Sequence, residues 1–183
     1  MINDRQNIIK FWFEDTKPQQ WFQVSEEFDA LIKENFEESY EKAAGGILDD
    51  WRNDSDGALA LCILLDQMPR NMFRGTPKAF ATDKNALVIA KYAISKGLDQ
   101  VLSLTKRRFI YLPFEHSENL GDQKRSVELF EKIKNDDPLG YEYAVKHLDV
   151  IEQYGRFPHR NKILGRQNTP EEEEYLVQPG AGF

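Results

Sequence analysis

The sequence predicts an all-α fold, a compact antiparallel array of about seven to eight helices in a single all-helical domain over residues 1–183. Three observations predict it. Apolar residues recur at helical spacing through most of the chain. No run alternates Val, Ile and Thr in the manner of a strand. Pro, Gly and small polar residues stand where helices of ordinary length would start and stop.

The elements follow in order. Asp4 is placed to cap a first helix from Arg5 to about Glu14, with Ile8, Ile9, Phe11, Trp12 and Phe13 as its apolar surface and Lys17-Pro18 as its end. Trp21 and Phe22 then form a short packed turn. Ser25 caps a second helix, on which Phe28, Leu31, Ile32, Phe36 and Tyr40 share one face and Gly45-Gly46 the stop. A turn at Asn53 to Gly57 leads to a third helix from Ala58 to about Met68. It is apolar nearly all round as far as Leu65, so it belongs at the centre, and Pro69 is expected to end or kink it. Thr76-Pro77 reads as cap and first-turn proline of a fourth helix, about Lys78 to Lys96. A fifth covers Leu104 to Tyr111, ending before Pro113. A sixth lies near Asp122 to Lys134 and a seventh runs from Leu139 to Tyr154, closed by Gly155. Thr169, Pro170 and Glu172 open a short last helix with a capping box. Two polar segments hint at duplication, but their spacings differ and no repeat of fixed period emerges.

A chain of 183 residues with 40% hydrophobic content can bury a core of its own. The formal charge of −7 argues against coating a nucleic acid by charge. Cys62 is the only cysteine, so no internal disulfide forms; a buried thiol in a reducing cytoplasm is the expected setting. No run reaches the length of a bilayer span, and the N-terminus reads as a helix rather than a signal peptide. The partners expected are a small anionic molecule or a protein or peptide, with no nucleic acid and no membrane; the sequence sets no oligomeric state.

The candidate site lies in polar, arginine-bearing segments between apolar helices. The first is LLDQMPRNMFRGTP, Leu64 to Pro77, and the second EQYGRFPHRNKILGRQNTP, Glu152 to Pro170. Asp66 and Arg70 are four apart on a helix and can meet, which would hold a guanidinium fork rigid for a carboxylate or phosphate. Gln67, Arg70, Asn71, Arg74, Arg108, Arg156, His159, Arg160 and Asn161 are the ligand-binding candidates. The same residue types also suit a purely structural role, satisfying backbone groups at helix junctions. Glu115-His116-Ser117-Glu118 supplies a second element. His116 and His147 are candidate general bases, with Asp66 or Glu118 to orient them. Ser117 is in no G-x-S-x-G elbow. No histidine spacing matches a metal motif, so no metal is expected from motifs; a fold could still assemble one from His116, His147 and His159 with Glu115 or Glu118. No phosphate-cradling glycine loop is present, and no cofactor is expected from motifs.

FWF near residue 11, WF at 21, LLDQMPRNMFRGTPKAFATD at 64–83, RRFIYLPFEHSE at 107–118 and RFPHRNKILGRQNTPEE at 156–172 resemble the bacterial DUF924 family over nearly the whole chain. The resemblance implies an all-helical, tetratricopeptide-like (TPR-like) fold. It marks Asp66, Gln67, Arg70, Asn71, Arg74, Arg108, His116, Ser117, Glu118, Arg156, His159, Arg160, Asn161 and Gly165. It carries over no catalytic assignment.

Two functions are therefore expected. One is binding of a small anion or peptide carboxylate in a cavity lined by arginines from stretches far apart in the chain. The other is a hydrolase or transferase acting on an anionic metabolite with a histidine general base. If the segments only lock helix ends together, replacing Arg70 by Leu costs stability alone.

Overall fold

The apolar run Ala58–Leu65 becomes the most enclosed helix of the molecule, because a helix greasy on every side must be covered on every side. The computed structural model describes residues 4–182, and among them it contains helices and turns but no strand. Contacts cluster into two units: Met1–Arg74 with Lys78–Pro113, and Gly75–Pro77 with Phe114–Phe183.

In the first unit, the Asp54 side chain accepts from Gly57 N at 2.9 Å and opens α3 (Ser55–Cys62), upstream of the Ala58 start that the sequence suggested. The reason is close packing. A Cβ on Gly57 would stand 2.0 Å from the Trp51 carbonyl oxygen, so only glycine lets the 3₁₀ turn Asp49–Asn53 sit on the helix start. Leu59, Leu61, Ile63 and Leu64 are then fully buried, at about 1.5–3 kcal/mol each.

Pro69 does not end this helix. The chain widens into a π turn, Ile63–Gln67, and goes on as α4 (Met68–Met72). A regular helix would send the residue-69 N–H to the Leu65 carbonyl, and proline has none. The Thr82 hydroxyl donates to that carbonyl instead, at 2.6 Å. The first helix behaves alike. α1 (Asp4–Lys10) opens into a π turn, Phe11–Asp15, and the Trp21 indole donates to the Trp12 carbonyl at 2.8 Å. The cap expected of the Asp4 side chain lies outside the described residues. Trp12, Phe13 and Trp21 all pack edge-on against Phe109, with centroids 5.8, 5.3 and 5.0 Å from it.

The Ser25 hydroxyl accepts from Phe28 N at 3.2 Å and starts α2 (Glu26–Ala44). Its buried face is Phe28, Ile32, Phe36 and Tyr40, while Leu31 is 44% exposed, off the face assigned to it. The fourth helix also departs from expectation. Pro77–Phe80 is only a 3₁₀ turn, and α5 (Asp83–Ser95) begins later because Thr82, with its hydroxyl committed to Leu65, lies off helical geometry ahead of it. α6 (Leu104–Glu115) runs through Pro113. Burial of Phe109, Ile110, Tyr111 and Leu112, each 4% exposed or less, outweighs the one N–H that proline withholds.

In the second unit, Asn119 caps α7 (Leu120–Glu131) and Asp137 caps α8 (Pro138–Tyr154), and the two helices pack on each other. Gly155 ends α8 in the left-handed region, at φ 67°. A 3₁₀ turn, Pro158–Arg160, and α9 (Pro170–Leu176) follow; Thr169 and Glu172 form the expected capping box. No helix among the described residues is long and apolar enough to cross a membrane.

Candidate functional site

Residues 64–74 of the first polar segment are held within the first unit by acids distant in sequence. Asp66 lies in the π turn and is fully buried. It accepts from Gln67 Nε2 at 2.5 Å, and Arg70 Nη1 stands 3.5 Å from its Oδ1. The Arg70 guanidinium also donates to the Asp66 carbonyl and grips Asp83 with both terminal nitrogens, at 3.0 and 3.2 Å. Asp29 on α2 takes Asn71 Nδ2 at 2.7 Å and Arg74 by two bonds at 2.6 and 2.9 Å. Burial alone would raise the Asp29 pKa; the Arg74 and Asn71 bonds reverse that and hold it below the usual carboxylate range. Arg108 stacks its guanidinium over Phe22, 5.2 Å from the centroid. Cys62 is buried beside these groups, and desolvation, then the Asp66 charge, pushes its thiol well up, away from nucleophilic use. A hollow of about 300 Å³ in this unit is lined by Ala43, Arg52, Leu65, Lys84 and Ile89 among others, and by none of the candidate residues.

The second unit brings the other candidates together. Arg156 binds Glu172 bidentately at 2.6 and 2.7 Å, and Asn161 Nδ2 donates to Asn168 at 2.9 Å and to Glu172 at 3.2 Å. Glu172 also accepts from Thr169 N at 2.8 Å. The Arg156 bonds, against the cost of burial, pull its carboxyl down to about 2. Glu118 is gripped by Arg166 at 2.8 and 2.9 Å and takes the Phe157 N–H at 2.8 Å. Glu118 and Glu172 thus staple the loop between α8 and α9.

Two of the three histidines pack on Phe157, which is fully buried, and the third stands beside one of them. The His147 ring meets Phe157 edge-on at 5.5 Å, His159 stands 5.6 Å from it, and the Arg160 guanidinium lies 4.5 Å over its face. His116 is 6.1 Å from His147, centroid to centroid. The acid beside His147 is Glu115, with Oε1 3.4 Å from Nδ1. His147 Nδ1 is also 2.8 Å from the Tyr143 carbonyl. Burial, then the neighbouring His116, lowers the His147 pKa to about 3, so the ring is neutral near pH 7. The Gln123 side chain, itself fully buried, donates to the carbonyls of Glu115 and Ser117, each at 2.6 Å, and pins the turn that carries His116. Ser117 donates to Asp122 at 2.9 Å, a turn bond rather than a nucleophile's arrangement.

A family model described as "Bacterial protein of unknown function (DUF924)" matches residues 8–180. The chain belongs to the DUF924 family. A solved structure of the same helical architecture is the "Protein of Unknown Function ATU0120 from Agrobacterium tumefaciens". It is 40% identical, covers 96% of this chain and 97% of its own, and superposes with a TM-score of 0.91. None of the curated proteins matches the chain.

The motifs that mark the DUF924 chain are thus assembled with residues the sequence did not single out. Asp29, Asp83 and Gln123 are the chief examples. Asp29 sits among other acids of an amphipathic helix, and nothing local distinguishes it from a solvated neighbour. Glu172 was legible as a capping acid, though not as the partner of Arg156, because that pairing joins groups on either side of a loop.

Proposed function

We infer that the protein binds a small anionic ligand, such as a phosphate or carboxylate, at the second unit's cluster of His116, His147, His159 and Arg160. The observation that carries this reading is Arg160. It is a cation only 6% exposed, laid flat on Phe157, and its charge is felt at both His147 and Glu118. A guanidinium pre-oriented on an aromatic face forms charge-assisted bonds at little entropic cost. Arg70, Arg74 and Arg156 answer carboxylates of their own units and serve the framework first. Cytoplasmic residence and TPR-like helix pairing belong to this proposal as well, the former suggested by the single buried cysteine. The test is calorimetric titration of the full chain with inorganic phosphate and with succinate at low ionic strength. Saturable binding is expected for one of them, weakened at least about tenfold by Arg160→Gln and kept by Arg74→Gln. Equal affinity in the wild type and Arg160→Gln would overturn it.

A second reading is acid–base chemistry on the bound anion. The arrangement that favours it is the His147 ring, whose Nδ1 faces the Tyr143 carbonyl at 2.8 Å with Glu115 Oε1 beside it at 3.4 Å. It predicts turnover of a phosphate or carboxylate ester that is abolished by His147→Asn, with Arg160→Gln raising KM.

A further inference from the structure

Three ligand-type side chains meet where α6 ends against α8 within the second unit. One donor atom from each of Glu115, His116 and His147 can be chosen so that all three lie within 4.8 Å of one another. We propose that these residues hold a divalent transition-metal ion of the zinc class, leaving a coordination position open to water or an anion.

The donor chemistry is the first argument. Two imidazoles and one carboxylate form the donor set of three-ligand zinc centres, which keep a further position open. Calcium and magnesium want oxygen ligands, and this group supplies too few. Distance is the second. Donors about 2.0–2.2 Å from a tetrahedral ion stand roughly 3.4 Å from each other. The grouped donors lie within 4.8 Å of one another, and side-chain rotation closes the remaining gap to that spacing.

The surroundings supply what such a site needs. Donation from His147 Nδ1 to the Tyr143 carbonyl, 2.8 Å away, sets the tautomer and turns the Nε2 lone pair to the ion. The buried Gln123 amide fixes the carbonyls on either side of His116. Glu115 and His147 are buried at 4% and 7% exposure, whereas His116 is half-buried and forms the open side. Phe157 supplies an apolar wall edge-on to His147. His159 is not among the grouped donors, and Glu118 is taken by Arg166. The site shares His116 and His147 with the proposed anion site but takes no donor from Arg160, so loss of the ion and loss of the anion are read by different variants.

The test uses the full chain, free of any histidine tag and treated with chelator, titrated with Zn(II) by calorimetry and with Co(II) by visible absorption. One equivalent of metal should bind, with ligand-field bands indicating nitrogen donors. His116→Asn, at the half-exposed position, and Glu115→Gln, nearly isosteric, should each weaken binding at least about tenfold while circular dichroism stays unchanged. His159→Asn and Arg160→Gln should keep the ion. Stoichiometry and affinity unaltered in His116→Asn, or no uptake by the wild type, would overturn the proposal. Should Glu115→Gln fail to fold, His116→Asn decides the matter alone.

Discussion

Replacing Glu172 by Gln should loosen the loop that carries Phe157, His159 and Arg160, and the size of the effect follows from four bonds. Glu172 is 2% exposed and accepts two bonds from Arg156, one from Asn161 and one from Thr169 N. Glutamine keeps the shape and part of the hydrogen bonding but removes the charge opposite Arg156. The carboxyl falls from 4.5 to about 2, which at about 1.4 kcal/mol per tenfold in proton affinity sets its contribution at on the order of 3 kcal/mol. Arg156 is 29% exposed, so solvent screens part of this, and about 2 kcal/mol is expected. For a chain of this length that lowers Tm by about 4–8 °C. The sign with pH is also set. A carboxyl depressed in the folded state favours folding fully above its unfolded value of 4.5 and loses that contribution as pH falls toward about 2. The gap between wild type and Glu172→Gln should therefore be constant from pH 8 to about 5 and close steadily below. Far-ultraviolet circular dichroism followed through thermal denaturation is the assay. A stability difference under about 0.5 kcal/mol, or one unchanged between pH 7 and 3, would refute the reasoning.

Other outcomes test the framework of the first unit. Arg70→Leu leaves Asp66 and Asp83 without their shared guanidinium and should cost about 3 kcal/mol in urea denaturation. Thr82→Val removes the bond to the Leu65 carbonyl; a loss of about 1–2 kcal/mol is expected, with faster hydrogen exchange at Met68–Met72. Gly57→Ala drives a methyl into the Trp51 carbonyl and should cost roughly 3 kcal/mol or more, read as a lowered Tm. Cys62, buried and with its thiol pushed up, should react with an aromatic disulfide reagent only after denaturant unfolds the chain; prompt labelling of the native protein would contradict its placement.

The helical class, the caps at Ser25 and Thr169, the turn at Asn53 to Gly57 and the stop at Gly155 were all legible along the chain. They depend on contacts within a turn or two, and periodicity and capping record such contacts directly. The central place of Ala58–Leu65 was equally plain, since nothing else lets an all-apolar helix stay folded. What the chain alone left open were the exceptions to local rules. Pro69 read as a stop or a kink and Pro113 as a stop, yet the chain stays helical past both. The acceptor beside Pro69 is met by Thr82, distant in sequence, and aromatic burial in α6 outweighs the N–H lost at Pro113. The arginines likewise announced themselves by type, while their partners did not. Asp29 and Asp83 look like ordinary surface acids until folding sets them against Arg74 and Arg70. The meeting of Glu115, His116 and His147 belongs to the same class, because it joins the end of one helix to the middle of another. Local spacing carries no information about which of many acids and imidazoles will share a site; packing of the helices does.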